Sequence, residues 1–200
     1  MIAAATFSTS VEISATEKNF YSVEKFADLE ILRYKVPGFE DLTPKQKELV
    51  YYLSQAALQG RDILYDQNGK WNLAIRRPLE AVYTQYKGDR NSKDFKALEK
   101  YLKQVWFANG IHHHYSTDKF KPEFSQNFFV QAVSSIPAQS LPLKKGGSIK
   151  DLLNDITPVM FNPKIMTKRV NQTEGEDLVA TSAGNYYDGV TQAEAEAFYN

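Results

Sequence analysis

Apolar residues recur at helical spacing along most of the chain after residue 42, and short polar turns divide this pattern into separate segments. The first of these segments begins with Thr43, Pro44 and Gln46. These residues form the pattern of a capping box, in which the threonine and glutamine side chains each bond a backbone N–H at the helix start. Gly60 can end this helix by adopting positive φ. The pattern predicts a helix from Thr43 to Gly60, with an apolar face made by Leu49, Tyr52, Leu53, Ala56 and Ala57.

The same periodicity predicts four further helices, over residues 78–88, 92–110, 122–136 and 148–156. Pro78 lacks the N–H that a helix interior needs, so it marks a helix start or a kink. Ser92 is the predicted N-cap of the next helix, which ends at Asn109-Gly110. Each apolar face is a narrow stripe, so each helix is expected to pack on its neighbours with its other side in water.

One segment is a candidate β-strand. It is Leu178–Ala183 (LVATSA), which lies just before the aromatic loop GNYYDGV. No period of roughly 20 to 50 residues repeats along the chain, which excludes a solenoid. The predicted fold class is therefore α+β and predominantly α-helical.

A second capping box, from Thr191 to Glu194, begins an amphipathic helix at the end of the sequence. Phe198 and Tyr199 lie on its apolar face, and only nine residues follow its cap. Helices this short are marginal unless they are packed, because helix nucleation is costly. We therefore interpret the sequence as a fragment of a longer chain.

Composition narrows the class of protein. The 200 residues are 42% hydrophobic and 24% charged, the mix of a globular protein that can bury a core. Lys+Arg and Asp+Glu are both 24, so the basic excess typical of nucleic-acid and acidic-membrane binders is missing. No cysteine is present, which excludes disulfides and thiol catalysis. Neither nucleic acid nor a membrane is expected as a partner.

The N-terminus, residues 1–22, is predicted to be a disordered leader that precedes one folded segment, residues 23–200. It has a short apolar run but no basic n-region, which makes it a poor signal peptide. Other apolar stretches are too short to span a membrane. The chain is expected to be soluble and cytoplasmic, with export kept as an open alternative.

Three long stretches carry a family resemblance. They are FADLEILRYKVPGFEDLTPKQKELVYYLSQAALQGRDILYDQN (26–68), NGIHHHYSTDKFKPEF (109–124) and VNQTEGEDLVATSAGNYYDGVTQAEAEAFY (170–199). Together they resemble the N-terminal part of the dipeptidyl peptidase III family, especially its bacterial branch. The similarity extends from Phe26 to Asn200, and the first stretch is the most specific because it is long and nearly without gaps.

The resemblance implies a two-lobed zinc exopeptidase that releases dipeptides from the N-termini of short peptides. In that family zinc sits in a helical upper lobe, on a His-Glu-x-x-Gly-His helix with a further Glu ligand. This sequence has no such motif, so we expect it to form part of the lower lobe, without a cofactor or catalytic residue of its own. The full enzyme would be a monomer, whereas self-association of the isolated segment is left open because its apolar helix faces could stay exposed.

The alternative is a free-standing, non-catalytic peptide-binding or structural module derived from the same family. The two hypotheses differ in what the gene encodes past codon 200. A continuing reading frame with His-Glu-x-x-Gly-His favours the enzyme segment, and an immediate stop codon favours the module.

All three histidines, His112, His113 and His114, are adjacent in WFANGIHHHYSTDKF (106–120). Adjacent residues project in different directions, and zinc helices space their histidines one turn apart, so we predict no metal site here. In the favoured structural interpretation, imidazole N–H groups bond helix-end carbonyls after Asn109. In the functional interpretation, His112, His114 and Tyr115 hydrogen-bond a peptide in the cleft.

The loop at residues 185–189 is the second candidate. Asn185, Tyr186 and Asp188 could bind a peptide main chain, because carboxamide and phenol groups bond backbone without demanding a sequence. The alternative is a plain turn at Asp188-Gly189, with the tyrosines covering core. The basic pairs Arg76-Arg77 and Lys144-Lys145 are predicted to be solvated surface, as is the acidic run 174–177, which could otherwise attract a peptide ammonium group.

Overall fold

The computed structural model describes residues 20–199 and divides the chain into two compact units, residues 1–48 and 49–200. The first unit contains an antiparallel hairpin of β1 (Ser22–Phe26) and β2 (Leu29–Leu32). Lys25 pairs with Glu30 across the hairpin, and their side chains form an ion pair at 3.3 Å. Opposite charges on facing strand positions stabilise such a pair of strands.

Helices dominate the rest of the described chain. They are α1 (Pro44–Gln59), α2 (Arg61–Asn68), α3 (Asn72–Gln85), α4 (Lys93–Ala108), α5 (Gln126–Ser134), α6 (Ile149–Phe161), α7 (Leu178–Thr181) and α8 (Gln192–Tyr199), with a 3₁₀ turn at Ala138–Ser140. The fold is thus mostly helical with a small two-stranded hairpin, which confirms the predicted balance of helix and strand.

The hydrophobic core of the second unit lies between α3, α4, α5 and α6. Each of these helices turns an apolar stripe inward, and the fully buried side chains include Ile75, Leu79, Leu102, Phe129 and Ile156. Aromatic rings fill much of the interior in edge-to-face pairs, such as Tyr101 with Phe124 at 5.5 Å between centroids. This packing confirms the stripe pattern for α3 to α6.

Several predicted helix ends are confirmed by their side-chain caps. The Thr43–Gln46 capping box is present, and the Ser148 hydroxyl and Asp151 carboxylate form another at the start of α6. The Ser92 hydroxyl accepts the Phe95 N–H at the start of α4, and Asn109 ends that helix with φ 52°. Residues that satisfy the unpaired groups of a helix end fix its position locally.

Other predicted boundaries are wrong. Pro78 lies inside α3, which begins six residues earlier at Asn72, and Pro122 precedes α5, whose cap is Ser125. Helix α1 ends at Gln59, next to the predicted stop at Gly60, but Gly60 has φ −77° and not the positive φ that was expected of it. The pattern missed α2 altogether.

The predicted strand Leu178–Ala183 is also wrong. Residues 178–181 form the short helix α7, because the Asp177 carboxylate accepts the Ala180 N–H at 2.7 Å and caps a helical turn. The strands of the described chain lie instead at residues 22–32, where no strand was predicted. Ser22, the last residue of the predicted leader, begins β1, and residues 1–19 of that leader lie outside the described residues.

Two helices depart from the expectation that every stripe packs on a neighbour. Neither α1 nor α8 contains a buried residue. Large apolar side chains on α1 remain more than half exposed, including Leu49, Tyr52 and Leu53. None of the helices formed by residues 20–199 combines the length and apolar character that crossing a membrane requires.

Candidate functional site

The two loops singled out from the sequence are joined through one intermediate segment, residues 165–171. Within the histidine loop, the Phe120 N–H donates to the Ile111 oxygen at 2.9 Å. The Lys119 N–H then donates to Thr167, and the Ala183 N–H donates to Lys168, each at 2.9 Å. The backbone therefore connects the histidines to residues 183–185 by successive hydrogen bonds.

His112 is buried, with 2% of its surface exposed. Its Nε2–H donates to the Met166 main-chain oxygen at 2.7 Å, which leaves Nδ1 unprotonated and without a partner. Burial lowers the pKa of His112 to about 4, although the bond to Met166 acts in the opposite direction. This neutral, buried ring favours the structural interpretation, but its partner lies in the 165–171 segment and not at the end of α4.

The other two histidines lie nearer the surface. The His113 Nδ1 atom accepts the N–H groups of Tyr115 and Ser116, at 3.1 Å and 3.0 Å, so it shapes the turn that follows. The His114 ring stands edge-on to Phe107 with 4.9 Å between centroids. Tyr115 is 87% exposed. Among these residues, Tyr115 is the most accessible to a ligand.

Buried polar contacts hold the start of the histidine loop in place. The Asn72 carboxamide, fully buried, donates to the Tyr65 oxygen and accepts the Ile111 N–H at 3.1 Å. A Cβ at Gly110 would lie 2.4 Å from its nitrogen, so only glycine fits there. Lys119 donates from its ammonium group to carbonyls at the end of α6, including that of Val159 at 3.0 Å.

A groove of about 500 Å³ lies beside the 185–189 loop. We call it the Lys70–Asp188 groove. Its walls are Lys70, Trp71, Ile165, Met166, Val179, Ala180, residues 182–185 and residues 187–191. Pockets that bind small ligands commonly combine an apolar lining with a few polar groups, as this one does.

An ion pair lies at this groove: the Lys70 ammonium contacts the Asp188 carboxylate at 2.9 Å. Both side chains are about half exposed or more, at 49% and 73%, so the pair is in contact with water. An exposed pair of this kind contributes at most about 1 kcal/mol to stability. Replacing Lys70 or Asp188 in this pair by a charged group of a ligand therefore costs little free energy.

The predicted site residues of the second loop divide between the groove and the surface. Asn185 lines the groove, and its main-chain N–H donates to the Gln67 oxygen at 2.8 Å. Asp188 lines it as well. Tyr186 is 71% exposed and is not among the lining residues, whereas Tyr187 is, and Tyr199 hydrogen-bonds its hydroxyl and raises its pKa.

Tyr115 lines a different groove, of about 520 Å³, together with Ser116, Thr117, Lys168 and residues 170–173. The structure thus brings Asn185 and Asp188 together, and it places Tyr115 on the other flank of the 165–171 segment. His112 and His114 line neither groove. The assignment of all six residues to peptide binding stays a prediction.

The acidic run and the basic pairs have structural contacts. Asp177 caps α7 and also accepts the Gln192 N–H at the start of α8, and these backbone bonds lower its pKa. Arg76 is not the solvated residue that was predicted. Its side chain is 13% exposed, pairs with Asp62 at 2.8 Å and lies over the Tyr65 ring at 4.3 Å. Lys144 is exposed as predicted, at 78%.

The side chains of residues 20–199 do not fit a zinc site. They contain no group of three or more His, Cys, Asp or Glu residues placed to hold a metal ion. The histidine run cannot supply one in this conformation, since His112 is turned inward and His113 Nδ1 is occupied by backbone N–H groups.

In comparisons with known proteins, no protein-family model matches the chain and no curated protein matches it. Any role of the Lys70–Asp188 groove is therefore argued from its geometry alone. Sequence reasoning missed Lys70, Trp71 and Met166 as lining residues. Lys70 and Asp188 are 118 residues apart, and no local pattern connects them.

Proposed function

We propose that this chain provides a peptide-binding surface, and that it does so as the N-terminal, lower-lobe segment of a zinc-dependent enzyme similar to dipeptidyl peptidase III. The Lys70–Asp188 groove is the observation that supports peptide binding. The enzyme class rests on the sequence resemblance over residues 26–200.

The groove offers each part of a short peptide a suitable contact. The Asn185 carboxamide can donate to a main-chain carbonyl and accept from a main-chain N–H. Trp71, Met166 and Val179 give peptide side chains an apolar surface that does not select one sequence. The ammonium group at the peptide N-terminus finds an opposite charge at Asp188, in exchange for the contact of that carboxylate with Lys70.

In this proposal the segment positions peptide and supplies scaffold, and no bond-breaking step is assigned to its residues. The zinc implied by the resemblance would polarise the scissile carbonyl from another part of the enzyme. We expect the 200-residue chain alone to show no turnover in a dipeptidyl-arylamide assay with metal content measured in parallel. Turnover that follows stoichiometric zinc would overturn this assignment.

Calorimetric titration with a zwitterionic tetra-alanine peptide tests the binding role. We expect binding that weakens at least fivefold for the Asp188→Asn variant and for a peptide with an acetylated N-terminus. The Lys144→Met variant is the matched control, because it removes another exposed ion pair, with Asp155 at 2.7 Å. Equal affinity for capped and free peptides, together with an unaffected Asp188→Asn variant, would refute the proposal.

A further inference from the structure

Lys70 and Asp188 supply the charges of the groove, since the other lining residues of the described chain are uncharged. The walls therefore carry one positive and one negative group. The Lys70 Nζ atom lies 2.9 Å from the Asp188 Oδ1 atom, so the two charges balance each other in the free protein. A ligand that takes over one of these groups leaves the other without its partner.

In the proposed function, the N-terminal ammonium group of a peptide replaces Lys70 at the Asp188 carboxylate. The displaced Lys70 ammonium group is then a second cation beside the first. Two like charges about 4 Å apart repel each other even in water. An anion next to the peptide N-terminus would offset this repulsion and restore the charge balance of the groove.

The C-terminal carboxylate of a short extended peptide cannot be that anion. An extended chain advances roughly 3.4 Å per residue, so the two ends of a tetrapeptide lie about 10 to 13 Å apart. The side-chain carboxylate of an acidic first residue is much nearer, at about 3 to 5 Å from the ammonium nitrogen by standard bond lengths.

That shorter distance suits the spacing of the two protein charges. The Lys70 side chain is 49% exposed and ends in a long flexible stem, so its ammonium group can move with the carboxylate of the ligand. An acidic first residue can thus contact Asp188 through its ammonium group and Lys70 through its side chain.

We propose that the Lys70–Asp188 groove selects peptides whose first residue is Asp or Glu, a selectivity that rests on the proposed peptide binding. Four groups of alternating sign then lie side by side: Asp188, the peptide ammonium group, the first side-chain carboxylate and Lys70. Lys70 is thereby a specificity-determining residue. Asp188 serves every peptide that has a free N-terminus.

Calorimetric titrations of the 200-residue chain with Asp-Ala-Ala-Ala, Asn-Ala-Ala-Ala and tetra-alanine test this selectivity. The Asp and Asn peptides have nearly the same shape, so their comparison separates charge from size. We expect the Asp peptide to bind about three- to fivefold more tightly than the Asn peptide, the range of an exposed ion pair. Salt at about 1 M, where the screening length is about 3 Å, should reduce this preference.

The Lys70→Met variant assigns the preference to one residue. We expect it to bind the Asp and Asn peptides with equal affinity. Lys144→Met is the matched control, because it removes another exposed lysine, the partner of Asp155 at 2.7 Å, and should keep the preference.

The outcomes separate this inference from the proposed function. Equal affinities of the wild type for the Asp and Asn peptides, or a preference that survives in Lys70→Met, would overturn the selectivity and leave peptide binding in place. Absence of binding by all three peptides would refute the proposed function, and the selectivity with it.

Discussion

His112 and Met166 are joined by a hydrogen bond of 2.7 Å from the imidazole Nε2–H to the main-chain oxygen. Met166 has φ 51°, a conformation that costs a non-glycine residue about 1 kcal/mol. The bond fixes this unusual residue, which lines the Lys70–Asp188 groove, against a ring that is itself buried. The histidine loop thus shapes one wall of the groove without lining it.

The first prediction concerns acid stability. The folded-state pKa of His112 is about 4, below its ordinary value of 6.5. The unfolded chain therefore takes up this proton at a higher pH than the folded chain does. The stabilising contribution is complete above about pH 6.5 and is lost as the pH falls towards 4. The shift corresponds to about 3 kcal/mol.

Urea unfolding of the wild type and of His112→Gln at pH 7 and pH 4 measures this contribution. A glutamine N–H can still donate to Met166 but does not titrate. We expect the stability difference between the two proteins to change by about 3 kcal/mol in favour of the variant on acidification. A difference that stays constant with pH would contradict the assignment.

The second prediction concerns the close approach of Gly110 to Asn72. Gly110→Ala should lower the free energy of unfolding by about 2 kcal/mol or more, because the new Cβ would displace the carboxamide that bonds Tyr65 and Ile111. Gly146→Ala is the control. Gly146 also has positive φ, 76°, but nothing lies within 4 Å of an added Cβ, so only the backbone cost of about 1 kcal/mol is expected.

Lys119 supports the third prediction. Its ammonium group donates to the carbonyls of Val159, Asn162 and Ile165 at the end of α6, and partial burial lowers its pKa. Lys119→Met should cost about 2 kcal/mol, because several carbonyls lose a charged donor. Lys121→Met, at an exposed position two residues on, should change the stability by less than about 0.5 kcal/mol. Equal values in chemical denaturation would contradict the capping role.

Asp177 connects α7 to α8 and supports a fourth prediction. Removing its carboxylate in Asp177→Ala frees the N–H groups of Ala180 and Gln192. Hydrogen exchange at residues 192–199 should therefore become faster, while exchange in α4 stays unchanged. Glu174→Ala, in the same loop, is the control. Unchanged exchange of the α8 amides in Asp177→Ala would show that the cap does not hold the helix.

Local patterns predicted what local interactions decide. The capping boxes at Thr43, Ser148 and Thr191 each join residues three apart, so the sequence contains the whole interaction. The β-branched residues of Leu178–Ala183 indicate a strand, so the prediction there was wrong. Asp177, just before the segment, caps a helical turn instead. Pro78 was predicted to mark a helix start or a kink, but it lies inside α3, where it is part of the buried face of the helix.

The set of residues that line the Lys70–Asp188 groove could not be predicted from the sequence. Asn185 and Asp188 were identified from their chemistry, but their neighbours Lys70, Trp71 and Met166 come from distant parts of the chain. The burial of His112 likewise depends on a segment 54 residues away. Contacts of this range follow from the packing of the helices and leave no local periodicity.

The most direct test of the central claim is a two-dimensional ¹⁵N–¹H NMR titration with the zwitterionic tetrapeptide. We predict that the shifts concentrate at Trp71 and at residues 182–191, and that Asp188→Asn reduces them. Spectra that do not change at millimolar peptide, or shifts confined to residues 115–117 and 168–173, would contradict the account.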